Sequence, residues 1–317
     1  MFNRYWRTYP WFFQLIQFII LIAVLASFFV LAMTPLVLKW FQVSPECIQA
    51  INEHSPMKVI DSAMAIQFLS AVGIFLLPAL LFAYFTHPNP KEYLGLRKPG
   101  KPIHWLLAPL LVWSATPLFL QIAEWVSLID FGSAVKQAQD ENDRIMKGLL
   151  SGTSFLQISI SLLVLAILPG VSEELFFRGL LMRFAARGKA KSIWFPLVVS
   201  AILFAAMHSN PVGLLSIFLA GLLLGGIYYL TGSLWCGMLA HACYNGFQIV
   251  LSYGAKNNHT LQSLQENNHV PIIWVLIGSL LFVLSFYMLW KNRTPLPENW
   301  SADFSKEELD QAANHQS

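Results

Sequence analysis

Ser172-Glu173-Glu174-Leu175-Phe176-Phe177-Arg178 is the stretch on which the reading of this chain turns. It follows Gly148 to Ser172, a run without Asp, Glu, Lys or Arg, and it leads into the apolar Gly179-Leu180-Leu181-Met182. Two carboxylates and one guanidinium are therefore set in a greasy helix. An ionisable group at membrane depth costs about 2.5–3.5 kcal/mol even on lenient insertion scales. On a helix, Glu174 and Arg178 are spaced i,i+4 and can pair. Glu173 points about 100° away and has no local partner. A carboxylate short of a partner in apolar surroundings is expected to have a raised pKa, the profile of a general base or acid. The plainer reading is a structural ion pair locking two helices, with Glu173 facing water. Ionisable residues within membrane segments mark function by default, which favours the chemical reading.

Outward from this stretch the chain is apolar. Of its 317 residues 56% are hydrophobic and 12% charged, against roughly 25% charged in soluble proteins. This composition describes a polytopic, all-α membrane helix bundle. A net charge of +3 gives no reason to expect nucleic acid. Cys47, Cys236 and Cys243 form neither a disulfide framework nor a CxxC metal site. Charge-poor segments predict about eight transmembrane helices, near 8–38, 62–85, 103–126, 153–186, 192–208, 212–230, 234–253 and 271–290. Pro78 should kink the second, and Pro169-Gly170 should bend or break the fourth. Residues 129–147 read as a polar loop. Ser192 to Ala255 lacks Asp, Glu, Lys and Arg altogether, with breaks at Ser209-Asn210-Pro211 and Thr231-Gly232-Ser233. Lys and Arg cluster before the first span and after the second, fourth and eighth, so both termini are expected in the cytoplasm.

Two further constellations accompany the acidic one. Phe204-Ala-Ala-Met-His208 ends a charge-free helix beside the Asn210-Pro211 turn. A lone His there is commonly an interfacial or capping residue. His241-Ala-Cys-Tyr-Asn245 places His and Asn on one helix face in mid-span; such a pair can also serve as inter-helix glue. Small residues, among them Gly221, Gly237 and Ala242, would let the three helices approach closely. A carboxylate base, imidazoles and an amide donor suffice for water attack on a carbonyl. A Glu and two His could equally ligate zinc, and the residues alone do not choose.

Glu173, Glu174 and Arg178, then Phe204 and His208, then His241 and Asn245, in that order, resemble the CPBP family. These are the type II CAAX prenyl endopeptidases and the bacteriocin-processing Abi proteins, all intramembrane proteases. The resemblance covers about residues 150–250, and Tyr93-Leu94-Gly95-Leu96-Arg97 is also similar to a short loop of bacterial members. It implies that Glu173 activates water with His208 assisting. It further implies that His241 and Asn245 orient the substrate carbonyl and stabilise the oxyanion, and that Glu174 and Arg178 hold the site's geometry and charge. A metal-free glutamate mechanism is favoured, so no cofactor is expected, while zinc stays open. On this reading residues 1–149 are an N-terminal three-span region and 150–253 the catalytic core. Residues 254–293 are the last loop and span, and 294–317 an acidic cytoplasmic tail.

The function expected is therefore an intramembrane endopeptidase of CAAX type or of peptide and bacteriocin processing. Its partners would be a peptide or protein substrate and membrane lipid, without nucleic acid, in a bacterial inner (cytoplasmic) membrane. The substrate cavity should open toward the cytoplasm or laterally between helices. Two other classes use the same residues. One is a scaffold or immunity-type protein that binds a partner peptide without cutting it. The other is a proton-coupled transporter, against which no inverted repeat is visible.

Overall fold

The computed structural model describes residues 5–187, 192–256, 258, 270–304 and 308–310. Arg4, Lys189 and Lys191, counted above among the basic clusters, lie outside these, as do most of the 256–269 loop and the last residues of the tail. Among the described residues all regular structure is helical. The long helices are α1 (Trp11–Phe41), α2 (Met57–Thr86), α3 (His104–Ser127), α4 (Ser133–Leu149), α5 (Phe155–Arg187), α6 (Trp194–Ala206), α7 (Leu214–Thr231), α8 (Leu234–Ala255) and α9 (Ile272–Lys291). Six of them, α1, α2, α3, α5, α7 and α9, are long and apolar enough to cross a membrane. Helix α6 is apolar but short, at 13 residues, and α8 carries His241, Asn245 and Gln248 among its apolar residues.

Pro169-Gly170, expected to bend or break α5, does not break it. A π-helical turn, Leu163–Ile167, ends just before Leu168-Pro169, and the Leu168 N–H bonds back to the Leu163 carbonyl. The same device precedes Pro35 in α1 and Pro78 in α2. Proline has no N–H to give and crowds the carbonyl one turn back. Widening the preceding turn by one residue relieves that clash and lets the helix continue. Residues 133–149, read as loop, form α4. Its buried Leu149 and partly buried Ile145 lie four apart and pack against Ile51 and Val59, while Arg144 donates to the Ile51 carbonyl at 2.6 Å.

The bundle has two unlike ends. The first gathers the described residues nearest the two termini. Arg7 donates to the Asp303 carbonyl (3.1 Å) and to Glu308 (2.9 Å). Arg183 donates to the carbonyls of Tyr93 (3.1 Å) and Ala302 (2.7 Å). Arg187 meets the Ser301 carbonyl (2.9 Å) and the Asp303 carboxylate. The tail is thus a strap: the Thr294 and Leu296 N–H groups bond the carbonyls of Leu230 and Tyr229 at the end of α7, and Leu296 and Trp300 pack on the core. The far end carries the turn after α6 and the loops before α2 and α5, tied by contacts such as Lys256 Nζ to the Gly152 carbonyl (2.8 Å).

Candidate active site

The acidic motif lies where α5 widens again, in a π-helical stretch over Glu174–Leu181. Glu174 and Arg178 stay adjacent there, as the i,i+4 spacing predicts. Arg178 Nη1 donates to Glu174 Oε1 at 2.7 Å, and both side chains are fully buried. Arg178 Nη2 donates to the Gly221 carbonyl of α7 at 2.9 Å. Its guanidinium carbon lies 4.4 Å from the Phe204 ring centroid of α6, a cation–π contact in dry surroundings. From α8, His241 Nδ1 approaches Glu174 Oε1 at 3.1 Å. One buried ion pair therefore touches three other helices.

Glycines permit these approaches. A Cβ at Gly170 would lie 2.8 Å from the backbone nitrogen of Ala242, so α5 and α8 meet backbone to backbone. A Cβ at Gly237 would lie 3.1 Å from Glu174 Oε2. Gly237 belongs to the expected set of small residues; Gly170 was read only as a helix breaker.

The partners fix the imidazoles. Glu174 accepts from Arg178 and from His241, which places the His241 proton on Nδ1 and leaves Nε2 for other chemistry. His208 Nδ1 lies 2.7 Å from the Phe204 carbonyl. A carbonyl only accepts, so His208 also carries its proton on Nδ1 and keeps Nε2 as an acceptor. Asn245 Nδ2 donates to the Leu165 carbonyl of α5 at 3.3 Å, using one of its two N–H bonds.

His208, His241 and Asn245 line one cavity of about 290 Å³ between α3, α6, α7 and α8, together with Asn210, Tyr244 and Gln248. Helix α5 supplies none of the lining residues; it backs the wall through Glu174. Glu173 is partly exposed, is not among the lining residues, and its Oε2 atom is buried without a hydrogen-bond partner. Three of the expected groups thus share a cavity, two stand directly behind it, and Glu173 is outside the wall. Gln248 and Asn210 were not singled out as site residues. Gln248 could have been, since it follows His241 by seven residues and so returns to the same helix face.

Among the described residues no group of three or more His, Cys, Asp or Glu side chains is placed to hold a metal ion. Glu174, the carboxylate nearest a cavity imidazole, is already engaged by Arg178 and His241.

Residues 155–247 match the family model of the type II CAAX prenyl endopeptidase Rce1-like proteins. No curated protein and no solved structure matches the chain. The matched segment runs from the start of α5 into α8 and contains all six candidate site residues. Within an integral membrane helix bundle, residues 155–247 are thus similar to the Rce1-like type II CAAX prenyl endopeptidases, which are proteases.

Proposed function

We propose that this protein is an intramembrane endopeptidase that hydrolyses a peptide bond with glutamate-activated water. The observation that carries the reading is the buried chain Arg178–Glu174–His241, which ends at a cavity also lined by His208 and Asn245. Glu173 takes a proton from water as the oxygen bonds to the scissile carbonyl carbon. His208 Nε2 accepts from the same water and orients it. Asn245 has a second N–H for the developing oxyanion, and His241 positions the carbonyl. The C–N bond then breaks, and the proton held by Glu173 passes to the leaving amine. Catalytic hydrogen bonds are often long without substrate and tighten on binding, so Glu173 need not touch the water beforehand. Glu174 and Arg178 are positioning residues. No cofactor is invoked. Both termini lie in the cytoplasm on this reading, because the basic residues concentrate at the end of the bundle that gathers them.

The position of Glu173 outside the wall favours one second reading, a scaffold that binds a partner peptide in the cavity without cutting it. One experiment separates the two. Purified protein and the Glu173→Gln variant are incubated with membrane-derived peptides and the products mapped by mass spectrometry. The protease reading expects cleavage by the native protein and a loss of about 10²–10⁴-fold in the variant, with unchanged helical circular dichroism. Retained cleavage in Glu173→Gln would sink the general-base role. Cleavage abolished by a chelator and restored by zinc would overturn the metal-free mechanism.

A further inference from the structure

The residues that line the cavity are not equally exposed along its length. Toward the end that gathers the termini it is closed by packed side chains. Phe177, Leu180 and Leu234 are almost wholly buried there, and the strap at 294–304 lies beyond them. Along the cavity, exposure rises in the other direction. Val112, Leu224 and His241 are 1%, 3% and 4% exposed, whereas Leu120, further along α3, is 43% exposed. Asn210 and Gln248, also on that side, are part-exposed.

Helix α6 explains how the mouth forms. Its 13 residues rise about 20 Å at 1.5 Å each, short of the roughly 30 Å hydrocarbon core. The following turn, with His208 and Asn210, therefore ends inside the bundle. Irregular backbone at that depth is tolerated where it lines a cavity, as it does here. From His241 outward, α8 presents Asn245 and Gln248 to the cavity, about 6 and 10 Å further along the axis. That run matches about three residues of an extended chain at roughly 3.3 Å each. Toward the closed end the same helix offers Met238, Gly237 and Leu234, with no polar side chain to continue the series.

We infer that the site takes an extended peptide segment entering from the end of the bundle opposite the termini, held by the amides of Asn245, Gln248 and Asn210. With the basic end in the cytoplasm, that substrate reaches the protein from the non-cytoplasmic side of the membrane. The inference deepens the protease reading, on which it rests for the substrate being a peptide. It also departs from an opening toward the cytoplasm, one of the two openings expected from sequence.

The test uses the full chain with its three cysteines replaced by serine and single cysteines returned at Ala123 or Gln248, near the mouth, or at Lys98, exposed at the closed end. Intact cells and inside-out vesicles are treated with a membrane-impermeant maleimide. Labelling of Ala123→Cys and Gln248→Cys in intact cells, with Lys98→Cys labelled only in inside-out vesicles, is the expected result. Mouth and Lys98 cysteines labelled from the same face would overturn the far-end opening. Opposite faces in the reverse sense would overturn the non-cytoplasmic substrate. Labelling needs no activity, so failure of the protease reading would be seen separately, in the product mapping. If one mouth variant does not insert, the other gives the same readout.

Discussion

The two ends of this bundle are made by the same helices and solve opposite problems. At the closed end Phe18, Phe82, Phe176 and Phe184 pack ring to ring, and three arginines, Arg183 and Arg187 of α5 among them, bond to a strap from the tail. On its other side the same stretch of α5 carries the buried Glu174–Arg178 pair, and its neighbours leave a cavity. Buried charge of this kind rarely stabilises on balance, since desolvation offsets most of the attraction. The contrast teaches that the dense end acts as the scaffold and the charged half is held in place by it. Four helices are fixed around Arg178 because each gives it or its carboxylate a contact that no other residue supplies.

That division can be broken most severely at Arg178. Arg178→Met leaves Glu174 buried with His241 as its remaining partner, and losing one member of a buried pair costs about 3–5 kcal/mol. The unfolding midpoint in detergent should drop sharply, and a variant as stable as the native protein would show that the pair does not organise the charged half. Next comes Asn245→Ala, which removes a cavity amide and its 3.3 Å bond to the Leu165 carbonyl. It should slow cleavage by about 10²–10³-fold, the usual effect of removing an oxyanion donor, with little change in that midpoint. A stability loss without a rate loss would make Asn245 a structural link to Leu165 instead.

Gly170→Ala probes the joint between the halves. The added methyl would meet the Ala242 backbone at 2.8 Å, and overpacking of this sort costs about 1–3 kcal/mol. Because it pushes α5 from α8, it should also lower cleavage by separating Glu174 from His241. Unchanged activity would mean the two helices can part without harm to the site.

The smallest effect is expected at the closed end. His87 follows α2 and stacks on Tyr93 at 5.3 Å, and burial holds its pKa below the ordinary imidazole value. The folded state then binds fewer protons than the unfolded one below about pH 6.5. Stability should be full above that pH and fall as the pH drops toward the lowered folded-state value. His87→Phe should flatten this part of the midpoint-versus-pH curve; an unaltered slope would assign it to other groups.

Much of this was legible in the residues. The i,i+4 spacing of Glu174 and Arg178 announced their pairing, and the absence of charge from 192 to 255 announced helices. His241 and Asn245 were readable as one face. Helix α4 was missed because its composition is polar and only Ile145 and Leu149 reveal a buried side. The strap was missed because its partners, Arg7, Arg183 and Arg187, are remote in the chain. Gln248 was visible as a face position but had no meaning until a cavity lay beside it.

The sequence by itself determined the class: an all-α membrane bundle with a few ionisable groups set among apolar helices, in an order that resembles a protease family. Hydropathy and charge spacing are local properties, so they survive being read one segment at a time. Only the tertiary structure decided that Glu174 serves His241 while Glu173 stays outside the cavity wall, and that α5 passes through Pro169 unbroken. These depend on how far each helix is rotated and how closely it approaches its neighbour. Contacts such as Gly170 against Ala242 set that rotation, between residues that lie far apart in the chain.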